Sequence, residues 1–125
     1  ALAVVFKELR TELAVLHANP GLERLSRRVE EGMQSIETAA KTLFSDPGYA
    51  LLRAKLLAEM VIDVIASCEL LGQAGAAPER LGLAEAFIRR RMLEAEHMER
   101  RIQQNAKGRL ESDEQLLVQL AAGRI

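Results

Sequence analysis

The chain has 125 residues, 49% apolar and 28% charged, with a formal charge of -1. That is enough for one domain with a real core, too apolar for a disordered chain, and too neutral for a general pull toward nucleic acid. Aromatics are only 3% and Trp is absent, so Leu and Ala must fill the core, which favours close-packed helices over a sheet.

The opening ALAVVFKELR has no basic start and soon carries charge, so it is not read as a secretion signal. It begins inside a helical pattern and without Met. The expectation is a single helical domain spanning 1–125 that forms the C-terminal part of a longer chain, in the cytoplasm or the mitochondrial matrix and not secreted. A first helix is expected from Leu2 to Ala18. Leu2, Phe6, Leu9, Leu13 and Leu16 recur at steps of four and three, the seam of a packed helix. Asn19-Pro20-Gly21 stops it. A second helix, Leu22 to Leu43, carries the stripe Leu22, Leu25, Val29, Met33, Ile36, Ala40 and Leu43. Gly32 lies in its middle, where glycine weakens a helix or admits a close neighbour. Ser45-Asp46-Pro47-Gly48 is a turn signal.

The third helix is expected from Tyr49 to Leu71 and is the greasiest element. Between Leu56 and Leu71 it is apolar on nearly every side, broken by Glu59, Asp63 and Glu69. Such a helix should be surrounded by others, with Leu56, Met60, Ile62, Val64 and Leu71 buried. Its charges make it unfit as a membrane span. After the small-residue loop GQAGAAP, a fourth helix from Glu79 to Asn105 turns Leu81, Ala84, Ile88, Met92, Ala95, Met98 and Ile102 inward. Lys107-Gly108 should end it. A short fifth helix should then begin at Ser112, with Gln115 completing a capping box and Leu116, Leu117 and Leu120 on its apolar side. The fold class is therefore all-α: an antiparallel bundle of four main helices plus a short C-terminal helix.

Candidate chemistry is sparse. Cys68 is the only cysteine, which excludes an internal disulfide and a thiolate cluster; it reads as a small core residue. Glu94 and His97 form one Glu-x-x-His pair. A di-iron bundle needs two, and His17 has Glu12 at the wrong spacing; a solvated polar face is the preferred reading. Glu59 and Asp63 share a face of the greasiest helix. They could serve acid–base chemistry, but the favoured reading pairs them with Arg89, Arg90 or Arg91 on the fourth helix. The basic run Arg89 to Arg91 could also touch phosphate head groups, though neighbouring glutamates favour a solvated face. No nucleophile elbow, phosphate loop, dinucleotide fingerprint or zinc spacing occurs. No catalytic, cofactor-binding or metal residue is assigned, and the segment alone is not read as a self-sufficient enzyme.

Ala58-Glu59-Met60-Val61-Ile62-Asp63, followed by Ala66, Leu70-Leu71 and Ala74, resembles the extra C-terminal helical domain of the very-long-chain branch of the acyl-CoA dehydrogenases. Arg28 to Leu43 before it and Phe87 to Arg100 after it look similar to the flanking helices of that domain. The resemblance covers Ser26 to Gln103. It implies an appended bundle on an oxidoreductase of fatty acid metabolism. FAD, the catalytic glutamate and the acyl-CoA pocket would lie in the preceding domains, so none is carried over here. Implied partners are the remaining domains of the parent enzyme, a second subunit in a homo-oligomer and, in some members, a membrane surface; nucleic acid is not among them. The other reading kept open is a free-standing helical interaction or dimerisation module.

Overall fold

The computed structural model describes residues 2–123, with the backbone alone for residues 107–117 and 119. It is an all-helical bundle: α1 (Leu2–His17), α2 (Glu23–Phe44), α3 (Pro47–Ala76), a short 3-10 turn (Pro78–Arg80) and α4 (Leu81–Ala121).

Proline sets every boundary between the helices. Its missing N–H and its ring interrupt a helix at a cost of about 3 kcal/mol, whereas an interior glycine costs about 1 kcal/mol. Pro20 sits in the α1–α2 turn, where Gly21 N donates to Asn19 Oδ1 at 3.0 Å. Pro47 opens α3 behind Asp46, whose carboxylate accepts from Tyr49 N at 3.1 Å, an N-cap followed by proline at the first helical position. Ala77 is extended, as the residue before Pro78 must be, and α3 ends there.

Gly72 and Gly108 do not break their helices, whereas Gly123, at φ +72°, follows the end of α4 and donates its N–H back to Leu120 O at 3.1 Å. Where a loop was expected from Gly72, α3 continues to Ala76. A methyl on Gly75 would lie in ordinary contact, 3.4 Å from Leu22 and 3.5 Å from Leu16, so this last part of α3 runs beside the corner between α1 and α2. Likewise α4 passes through Lys107-Gly108 and ends at Ala121. The expected break and separate fifth helix are replaced by one long helix, because a lone glycine with no proline is a weak stop. The side chains of Gln115, Leu116 and Leu117 lie outside the described residues.

The stripe of α2 points inward as its spacing requires: Leu22, Leu25, Val29, Met33, Ile36, Ala40 and Leu43 are all buried. From α4 come Ala84, Ile88, Met92, Ala95 and Ile102, and from α1 Phe6 and Leu13. The third helix departs from expectation. Met60, Val64 and Leu71 are buried, but Leu56 is half-buried and Ile62 is 62% exposed. Although α3 touches all three other helices, Tyr49, Met60, Val64, Ser67, Cys68, Leu71 and Ala74 fall within an arc of about 120° at 100° per residue. Its three neighbours share one side of it. The opposite side, with Leu51, Leu52, Ile62 and Ile65, faces outward.

Candidate functional site

The sequence candidates separate once folded. Asp63 sits at the edge of the buried arc of α3, and Arg91 of α4 reaches it. Arg91 Nε donates to Asp63 Oδ2 at 2.9 Å, and Nη2 lies 2.8 Å from the same oxygen. The carboxylate is 17% exposed and the guanidinium 34%. The bond to Asp63 holds the Arg91 guanidinium more firmly protonated than usual, against the opposing effect of burial. Glu59 is exposed one turn before Asp63 and adds only a longer-range attraction to Arg91. Arg89 turns to its own helix and pairs with Glu85 at 2.9 Å, while Arg90 is exposed. The arginine run therefore contributes one cross-helix partner, set by the arc that faces α3.

This geometry ties Asp63 of α3 to Arg91 of α4. Asp63→Asn leaves the Arg91 charge partly buried against a neutral amide, and is expected to cost about 1–2 kcal/mol. A double-mutant cycle with Arg91→Met, read from urea midpoints, should show coupling of about 1 kcal/mol. Unchanged stability in both single variants would remove the pair from the account of the fold.

A stronger polar node escaped the sequence reading. Arg10 of α1 donates from Nε to Glu30 at 2.8 Å and through its terminal nitrogens to Glu37, both on α2. All three side chains are about one-third exposed, so each contact contributes of order 1 kcal/mol at most. The signal was present in the spacing. Glu30 and Glu37 lie two turns apart and bracket one arginine fork. On the other side of α2, Glu85 bridges Arg24 at 2.7 Å and Arg89 at 2.9 Å, and Arg24 first, then Arg89, hold its carboxyl below the usual range.

Two grooves remain. The one between α1 and α2, about 510 Å³, is lined by Arg10, His17, Ser26, Arg27 and Glu30. There Arg27 Nε donates to His17 Nε2 at 3.2 Å, while Ser26 Oγ is buried without a hydrogen-bond partner among the described residues. The histidine is engaged by arginine rather than by the serine, which is not the geometry of nucleophile and base. The second groove, about 400 Å³, lies where α1 begins and α2 ends against α3. Leu2, Phe44, Leu57, Ala58, Val61 and Ile62 line it, and its surface is almost wholly apolar. Phe44 is 68% exposed at its rim. Beside the groove on α3, between Ala50 and Ala54 of its lining, Leu51 is 81% and Leu52 72% exposed.

Glu94 and His97 both stand on exposed positions of α4. Among the described residues, no three of His, Cys, Asp and Glu are gathered as a metal would require. Cys68 is buried, and burial first, then the charges of Glu12 and Glu30, push its thiol up to about 12, which keeps it protonated at neutral pH. Among the described residues no helix is long and apolar enough to cross a membrane. The apolar face of α3, with the groove at its edge, is thus the feature with the clearest functional content. Comparison with known proteins finds no family model, no curated protein and no solved structure that matches the chain.

Proposed function

We propose that this chain is a helical interaction module that docks through the outward apolar face of α3. The observation that carries the reading is the apolar run on that face: Leu51, Leu52, Ala58, Ile62 and Ile65 are exposed along one helix around Lys55, and Ala58 and Ile62 line the apolar groove beside Phe44. Scattered exposed leucines are ordinary on a protein surface, but an apolar run bordering a groove is the form of an interface core. In the antiparallel bundle we propose, the short turns at Pro20, Pro47 and Pro78 would keep the buried arcs of the helices facing one another and leave this side of α3 for a partner.

A second reading uses the same face. In an appended domain of a FAD-dependent acyl-CoA dehydrogenase, Ala58 and Ile62 of the Ala-Glu-x-x-Ile-Asp run would meet the preceding domains, and Asp63 would hold α3 to α4. FAD and the oxidoreductase chemistry would then belong to those domains, with a homo-oligomer or a membrane surface as further contacts and the cytoplasm or mitochondrial matrix as the place. What supports it is that the run places one residue in the ion pair and two on the docking face.

Glutamine is a good helix former that removes branched apolar surface. In a Leu51→Gln/Ile62→Gln variant, melting at about 1 µM, where association is weak, should stay within roughly 2 °C of the parent. Retention on a hydrophobic-interaction column should fall. A loss of more than about 5 °C at that concentration would place the face in the chain's own core and overturn the interaction reading.

A further inference from the structure

We infer that the occupant of the α3 face is a second copy of this chain, packed antiparallel about a two-fold axis at Ile62. The inference rests on the interaction reading and adds to it the partner and the register.

Lys55, Ile62 and Glu69 are spaced by seven residues, two helical turns, so they lie on one stripe of α3. All three are exposed. An antiparallel copy whose axis passes through Ile62 brings each residue opposite the one equally far on the other side of 62. Ile62 then meets Ile62 of the second copy. Lys55, about 10 Å from the axis at 1.5 Å per residue, meets Glu69 of the other copy, and the pairing repeats by symmetry. Opposite charges therefore face one another at both ends of an apolar centre. A parallel pairing would set lysine on lysine and glutamate on glutamate. Among the described residues, the one hydrogen bond of the Glu69 side chain is from Gln73 at 3.3 Å, and that bond is exposed, so the carboxylate is available for a stronger charged partner.

The same register places the exposed leucines at the start of the face. Leu51, 81% exposed, falls opposite position 73, beside Gly72 and Ala76. A methyl built on Gly72 would find nothing within 4 Å, and Ala76 is exposed. In this register Leu51 lies opposite Gln73 and Leu52 opposite Gly72, while Ile65 lies opposite Glu59. Self-complementary pairing of Lys55 with Glu69 and of Ile62 with Ile62 is what an isologous two-fold interface requires. The helix is 30 residues long, about 45 Å, so the whole stripe from Leu51 to Gln73 fits within one helix-to-helix contact.

Sedimentation equilibrium of the 125-residue chain from about 1 to about 100 µM tests this. The parent chain should be a dimer at the upper end. Ile62→Glu should be a folded monomer by circular dichroism and sedimentation together. Lys55→Glu alone and Glu69→Lys alone should each raise the dissociation constant about tenfold or more, since each sets like charges opposite one another twice. Lys55→Glu/Glu69→Lys should restore the parent value, because the reversed pairs attract again. Ile62→Cys should form an intermolecular disulfide on mild oxidation, with Cys68 left in place because it is buried. A parent chain monomeric to about 100 µM, or one forming open-ended oligomers, overturns the self-pairing. A double charge reversal that fails to restore association overturns the register. Either failure leaves the glutamine variants as the separate measure of whether the face docks anything.

Discussion

Leu71→Ala is expected to cost about 3–4 kcal/mol, while Ile62→Ala at low protein concentration should cost less than about 0.5 kcal/mol. Both residues belong to α3, and both read as core from the sequence. They lie nine residues apart, two and a half turns, and so on opposite sides of the helix. Leu71 is fully buried in the core shared by the four helices. Truncating it removes three methyl(ene) groups and leaves a cavity that the close-packed Ala74 and Cys68 cannot fill. Ile62 is 62% exposed and leaves no cavity. Against a total stability of roughly 6–15 kcal/mol for a domain of this size, the first loss is large and the second is within the noise of surface substitutions. Urea midpoints for the two variants at about 1 µM check the contrast. A large loss at Ile62 with little at Leu71 would mean that α3 is turned by half a revolution.

The same pair shows which parts of the fold were legible. Apolar residues on α2 occupy one stripe and charges occupy the rest, so the spacing of Leu25, Val29, Met33 and Ile36 selects one face, and that face is the buried one. On α3 the apolar residues go all the way round. Spacing then selects no face, and the choice is made by where the neighbours stand, which is a property of the whole bundle. Reading the helix as encircled followed from its composition; an unpartnered side is the other solution to the same pattern. Helix ends were legible where proline marked them, at Pro20 and Pro47, and were misplaced where glycine was taken as a stop, at Gly72, although α3 runs on to Ala76 before Pro78, and at Gly108. The Asp63–Arg91 contact followed from the cost of leaving a carboxylate among apolar neighbours without a cation. Sequence could not say which of three consecutive arginines would supply it, because successive residues on a helix point 100° apart and only the packing of α4 selects one. Arg10 was missed because its partners, Glu30 and Glu37, are distant from it in sequence, on another helix.

Gly32→Leu is expected to cost about 3 kcal/mol, and combined with Met92→Ala the loss should fall about 2 kcal/mol short of the sum of the two single losses. Gly32 lies in the middle of α2 and is buried against α4. Intrinsic helix propensity alone favours replacing it, by about 1 kcal/mol for alanine. Packing opposes the replacement. A Cβ at this position would come within 2.2 Å of Met92 Sδ and 3.4 Å of its Cγ. Met92 is fully buried, so its flexible side chain has no free space to retreat into without displacing other core atoms. A leucine therefore forces α2 and α4 apart or Met92 out of its rotamer, and overpacking of this kind costs more than the propensity returns. The single Met92→Ala variant should lose about 2–3 kcal/mol by its own cavity. Combined, the two changes nearly conserve volume: four side-chain heavy atoms are added on one helix and three are removed from the other. The double variant should accordingly be more stable than the sum of the single losses by about 2 kcal/mol, measured by chemical denaturation. Costs that simply add would mean that α2 and α4 do not meet at this pair, and that the close approach permitted by glycine lies elsewhere along the two helices.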